Sequence, residues 1–154
     1  MKNVIVNDMQ RGSGKTKQVT GRLLYNPQIL VIVPNSIQKR HMIDNQIRRL
    51  RSEGLSIPAT EHTRNYMKAN VVTIGDVLKE SSHHGININR GEYKKIVIDE
   101  GLSLDFERMY NLMYILGKTG IPVEVFGSSH VYTDRIDAVV RNCRVRKSQI
   151  KHTL

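Results

Sequence analysis

Two short stretches of this chain combine residue types suited to phosphate chemistry. Arg11-Gly12-Ser13-Gly14-Lys15-Thr16 stands close behind the apolar Val4-Ile5-Val6. Gly12 and Gly14 can take backbone angles closed to other residues, which turns successive N–H groups inward toward phosphate oxygens, and a helix opening near Lys15 would add its positive end. In such a loop Lys15 would reach the β- and γ-phosphates, and the Thr16 hydroxyl would ligate Mg²⁺. Gly12, Ser13, Gly14, Lys15, Thr16 and Lys17 are therefore the candidate nucleotide-binding residues. The full form of the pattern has glycine five residues before Gly14, where this chain has Met9. The second stretch, Lys94-Lys95-Ile96-Val97-Ile98-Asp99-Glu100-Gly101, is a β-branched apolar run that ends in two carboxylates. A buried strand of that composition delivers its acids to the carboxyl edge of a parallel sheet. There Asp99 would hold Mg²⁺, usually through water, and Glu100 would polarise the water that attacks the γ-phosphate.

The elements that must position these residues alternate between strand and helix. Lys2 to Asn7 predicts a first strand, and Lys15 to Leu24 a helix stopped by Asn26-Pro27. Ile29 to Val33 predicts a second strand, after which Asn35 or Ser36 caps a helix that runs to Glu53, with Gly54 as its stop. Ile37, Ile43, Ile47 and Leu50 mark the apolar side of that helix. Leu55 to Met67 reads as irregular, Asn70 to Ile74 as a strand followed by a short helix over Asp76 to Lys79, and Ser81 to Glu92 as a polar loop whose His83-His84 pair lies at the surface. After the acidic strand come a helix from about Leu104 to Gly117, with Met109, Leu112, Met113, Tyr114 and Leu116 as core, and a strand from Val123 to Phe126. This order implies a three-layer α/β/α sandwich around a mostly parallel sheet of five or more strands, with right-handed crossovers. The 154 residues predict one domain over 1–154, with a basic tail from about residue 141.

The formal net charge of +10 points to polyanionic partners, with nucleic acid first. One cluster comprises Lys39, Arg40, His41, Arg48, Arg49 and Arg51; the other is in the tail and includes Arg141, Arg144, Arg146, Lys147 and Lys151. Each could also be a solvated face. With no tryptophan and only two phenylalanines, no stacking platform for bases is visible, so Lys39, Arg40, Arg48, Arg49, Arg51, Arg144, Arg146 and Lys147 read as backbone contacts. A single cysteine, Cys143, leaves no internal disulfide, and no apolar run approaches the roughly 20 residues that cross a bilayer. The expectation is a cytoplasmic protein without a membrane partner.

Over roughly Met1 to Tyr132 the chain resembles a RecA-like ATPase of the P-loop NTPase fold, its two motifs standing as Walker A and Walker B. Within that group it is similar to helicase superfamilies 1 and 2 and to viral DNA-packaging terminase ATPases. Its size and unusual loop resemble a phage gene product, which would place it in the host cytoplasm. The resemblance implies ATP with Mg²⁺, Glu100 and Lys15 as catalytic residues, Thr16 and Asp99 at the metal, and DNA ahead of RNA as partner. Ile29 to Pro34 resembles the strand that leads to a nucleic-acid-contacting loop. Gly127-Ser128-Ser129-His130 stands where these families place a γ-phosphate sensor, which makes Ser128 and Ser129 candidate nucleotide contacts at the tip of a strand between the two motif strands. A second lobe carrying an arginine finger is absent, so the finger would come from a homo-oligomer or a partner protein, with Arg135 and Arg141 as candidates in trans.

A competing resemblance is to thymidine kinases, which pair a phosphate loop with an Asp-Glu strand end and carry a strand similar to Gly120 to Gly127. Glu100 would then deprotonate an acceptor hydroxyl. That family's four-cysteine zinc site has no counterpart beside Cys143. A nucleic-acid-binding module with a non-hydrolysing loop is the third reading.

Overall fold

The computed structural model describes residues 4–8, 15–25, 28–79, 88, 93–100, 105–127 and 144–147. Their elements run β1 (Val4–Asp8), α1 (Lys15–Tyr25), β2 (Ile29–Val33), α2 (Ser36–Ser52), α3 (Ile57–Asn70), β3 (Val71–Thr73), α4 (Ile74–Leu78), β4 (Lys95–Ile98), α5 (Phe106–Gly117), β5 (Val123–Gly127) and β6 (Arg144–Lys147). The strands form one six-stranded sheet in the order β3-β2-β4-β5-β1-β6, and every pairing is parallel.

Strands covered on both faces need apolar side chains pointing both ways, which is why β2 is Ile-Leu-Val-Ile-Val without alternation. Leu30, Ile32, Ile96, Ile98, Val123 and Val125 pack into one core against Met109, Leu112, Met113 and Leu116 of α5. Ile29, Val31, Val33, Val97 and Phe126 pack into the other, against Val19 and Leu23 of α1, Met42, Ile43 and Ile47 of α2 and Met67 of α3. Helices thus cover both faces of the sheet, as the alternating pattern implies.

Local signals set several boundaries. The Asn35 side chain accepts from the Gln38 N–H and starts α2. Thr73 and Asp76 form a reciprocal capping box that starts α4 at Ile74, two residues before the expected Asp76. In α2 the buried side is Met42, Ile43, Gln46 and Ile47, whereas Ile37 is 57% exposed.

Two expectations are corrected, for residues 57–70 and for Tyr114, and one strand is added within the basic tail. Residues 57–70 are helical rather than irregular: Ser56 caps α3 by accepting from Ala59 N–H, and Pro58 sits in the first turn, where its missing N–H costs no helical bond. Arg144–Lys147 within the basic tail is β6, paired with β1 in the register Ile5↔Arg144 to Asp8↔Lys147. Tyr114 belongs to the solvent side of α5 at 57% exposure, with the Lys118 ammonium 4.2 Å from its ring centroid. At one position past Met113, its side chain points about 100° around the helix from the apolar stripe.

Candidate nucleotide site

Register brings the strand before the first chemical stretch and the strand that ends in the second to one edge of the sheet. β1 and β5 end together at the pair Asp8↔Gly127, and β4 ends with Ile98 paired to both Ile32 and Val125. Asp99 and Glu100 follow immediately at that carboxyl edge, and the chain that leaves β1 there returns as α1, whose first residue is Lys15. β5 lies between β1 and β4. Two interstrand steps separate β1, the strand before the candidate phosphate loop, from the acidic strand, about 10 Å across the sheet. That gap is wide enough for a chain of phosphates.

The ends of the gap differ in charge. α1 has eleven residues and no acidic side chain in its first turn, so nothing on the helix offsets the positive end of its dipole. Asp99 is 5% exposed and anchored by its backbone N–H, which donates to the Ile32 carbonyl at 2.9 Å. Glu100 is half-buried and adopts φ 58°. A left-handed backbone at a non-glycine residue is strained, and such residues gather at functional sites. The turn drives the Glu100 backbone out of the strand path directly after the buried aspartate.

Of the remaining candidates, Lys15 and Thr16 open α1 and Lys17 is exposed on it. Gly12, Ser13, Gly14, Ser128 and Ser129 lie outside the described residues, as do Met9, His83, His84, His130, Arg135 and Arg141. β5, which ends at Gly127, lies between the two motif strands.

The first basic cluster falls on α2 as expected, but its members differ in surroundings. Lys39 is half-buried, and its ammonium donates to the Lys68 carbonyl at 3.0 Å. Burial holds its pKa below 10.5, with Asp76 opposing that shift and Lys68 adding to it. Arg40, Arg48, Arg49 and Arg51 are exposed. Arg49 and Lys17 line a cavity of about 250 Å³ between α1 and α2. Arg48 and Arg51 line another of about 250 Å³ between α2 and α3, together with Arg64. Arg64 is oriented by Glu61 at 3.3 Å and Asp44 at 3.7 Å. Sequence reading missed Arg64 because it belongs to α3, which Pro58 disguised. Arg144, Arg146 and Lys147 lie on β6 at the far side of β1 from β5. The two clusters are therefore carried by different parts of the fold, α2 beyond α1 on one face and β6 at the sheet edge.

No family model matches the chain, and no curated protein matches it. Among solved structures it is similar to the UvsW helicase from bacteriophage T4, with TM-score 0.55 and 18% identity over 95% of this chain and 54% of that one. It is also similar to the Hef helicase domain of Pyrococcus furiosus, with TM-score 0.55 and 16% identity over 95% of this chain and 35% of that one. The large terminase ATPase domain of Thermus phage P74-26 matches with TM-score 0.51 and 7% identity, over 96% of this chain and 76% of that one. The chain spans about half the length of the first and a third of the second. At these identities the likeness is one of architecture: a parallel sheet flanked by helices, in the arrangement found in helicase and terminase ATPase domains.

Proposed function

We propose that this chain forms one domain that binds and hydrolyses ATP with Mg²⁺, in an activity coupled to nucleic acid. The observation that carries the reading is that β1, the strand before Lys15 and its helix, and β4, the strand before the Asp99-Glu100 turn, end at one sheet edge about 10 Å apart with β5 between them. Residues 12 to 17 would hold the phosphates, with Lys15 supplying charge to the β- and γ-oxygens. Thr16 and Asp99 fit a hard cation by donor type, and Mg²⁺ would neutralise charge developing on the transferred phosphoryl group. Glu100 would orient and polarise the attacking water, and Ser128 and Ser129 would face the γ-phosphate. Fast turnover would draw an arginine from a second copy or a partner, Arg135 and Arg141 being the candidates within this sequence. Nucleic acid, DNA before RNA, would be held through its phosphates by Arg40, Arg48, Arg49 and Arg51, with Lys39 beside them, and by Arg144, Arg146 and Lys147. The charge of +10 and the likeness to helicase and terminase ATPase domains support that partner. Among the described residues no helix is long and apolar enough to cross a membrane.

The test is Mg²⁺-dependent phosphate release from ATP, with and without single- and double-stranded DNA and RNA, over a range of protein concentrations. Stimulation by nucleic acid that rises more than linearly with protein supports the coupled, oligomeric activity. Glu100→Gln should retain ATP binding and abolish turnover, and Lys15→Ala should lose binding. Nucleotide affinity that survives Lys15→Ala would displace the site, and phosphate passed to an added nucleoside would replace hydrolysis with a kinase reaction.

A further inference from the structure

We propose that Glu124 is a positioning residue for the nucleotide reaction, holding the phosphate-loop arms and the acidic strand in fixed relation through β5. The inference rests on the reading under Proposed function. Glu124 is the one acid within the Val-Glu-Val-Phe-Gly strand and is 4% exposed. A carboxylate buried between sheet and helix is costly unless its charge is compensated, and an apolar residue there would serve packing better. Its partners come from three separate elements. Asn7 Nδ2 of β1 donates to Oε2 at 2.9 Å. Arg22 Nη1 of α1 stands 3.1 Å from Oε1, and Lys95 Nζ of β4 stands 3.0 Å from the same oxygen. Oε1 makes no well-aligned hydrogen bond, so the hold of the two cations is chiefly electrostatic and depends on the charge of Glu124.

β1 leads into the proposed phosphate loop, α1 leads out of it, and β4 runs directly into Asp99 and Glu100. Glu124 is therefore the point at which both arms of the loop and the acidic strand are tied to β5. Arg22 adds a second tie, its guanidinium 5.3 Å from the ring centroid of Phe126, which lies on the same face of β5 two residues on. Hydrolysis depends on the distance between the loop and Glu100, and a displacement of about 1 Å can cost a hundredfold in rate. Binding of the phosphates depends on the loop itself. The network accordingly bears on turnover more than on affinity.

Glu124→Gln tests this. The amide keeps an acceptor for Asn7 and removes the charge that draws in Arg22 and Lys95, both of which are about a third exposed and can turn to water. The expected result is a fall in kcat of about tenfold or more, with ADP affinity within about threefold of wild type, measured well below the melting temperature. Unchanged kcat beside a lowered melting temperature would make Glu124 purely structural and overturn the inference. If Glu124→Gln does not fold, Lys95→Met removes one cation and leaves Arg22 and Asn7 in place. A smaller fall in kcat at unchanged affinity is expected there, and no fall overturns the inference. A wild-type protein without nucleotide turnover would overturn the proposed function, and this inference with it. Wild-type turnover that Glu124→Gln leaves intact would overturn this inference alone.

Discussion

The left-handed backbone at Glu100 makes a prediction whose sign is unusual. At φ 58° an L-residue bears a steric cost of about 1–2 kcal/mol that glycine escapes. Glycine in turn frees the unfolded chain, which takes back about 0.4–1 kcal/mol. Comparing Glu100→Gly with Glu100→Ala cancels the loss of the carboxylate, because both variants lack it. The balance leaves the glycine variant more stable by about 0.8 kcal/mol at mid-range, or roughly 2–3 °C in melting temperature for a chain of this size. At an ordinary strand or helix position the order is reversed. Both variants should also lose turnover by about 10²–10⁴-fold, the contribution of a positioned general base. The assay is thermal unfolding followed by circular dichroism, beside phosphate release at 25 °C. A glycine variant that melts below the alanine variant would refute the strain argument, and turnover retained in either would refute the role of the side chain.

Two further outcomes are expected from the basic helices. Replacing Arg48 and Arg51 together by Gln should weaken nucleic-acid binding without regard to base sequence and flatten its salt dependence by a slope of up to about 1.8, at about 0.9 per duplex phosphate; an unchanged slope in fluorescence anisotropy titrations would return both to a solvated face. Because burial depresses Lys39 below 10.5, the folded protein releases this proton before the unfolded chain does, so the group's contribution to stability rises as pH climbs from the depressed value toward 10.5. Urea midpoints across that window should rise less steeply in Lys39→Met, and coincident profiles would sink the argument.

How far these features could be read from the sequence depended on whether local residues decided them. Ile96-Val97-Ile98 could only be a strand buried on both faces, and its acids had to emerge where it ended. The turn at Glu100 was not legible, since nothing in Asp99-Glu100-Gly101 says which residue adopts the left-handed conformation. α3 was hidden because Pro58 reads as a breaker until Ser56 is recognised as the cap before it. Only Thr60 and Met67 of that helix are buried, too few to print an apolar stripe. β6 is equally silent, its Arg-Val-Arg-Lys being too charged to announce a strand. Glu124 in Val-Glu-Val reads as one side of an alternating strand facing water. Only the sheet order, which sets β1 and β4 on either side of β5, turns it inward among cations.

The sheet order also bears on how the chain acquires its shape. β1 finds its neighbours in β5 and β6, so that Val4 aligns with Val123 and Ile5 with Arg144. At about 5–20 residues per second, a ribosome needs roughly 6–24 s to span the interval between Val4 and Val123. Within that time β2 and β3 can assemble, joined by β4 once residues 95–98 are made, while β1 has no strand to lie against. Contacts of such long range are slow to close and leave hydrophobic edges open to the wrong partner. The proposed nucleotide site would accordingly be among the last parts of the protein to form, and nucleotide bound there would report a chain that has closed its sheet as far as β5.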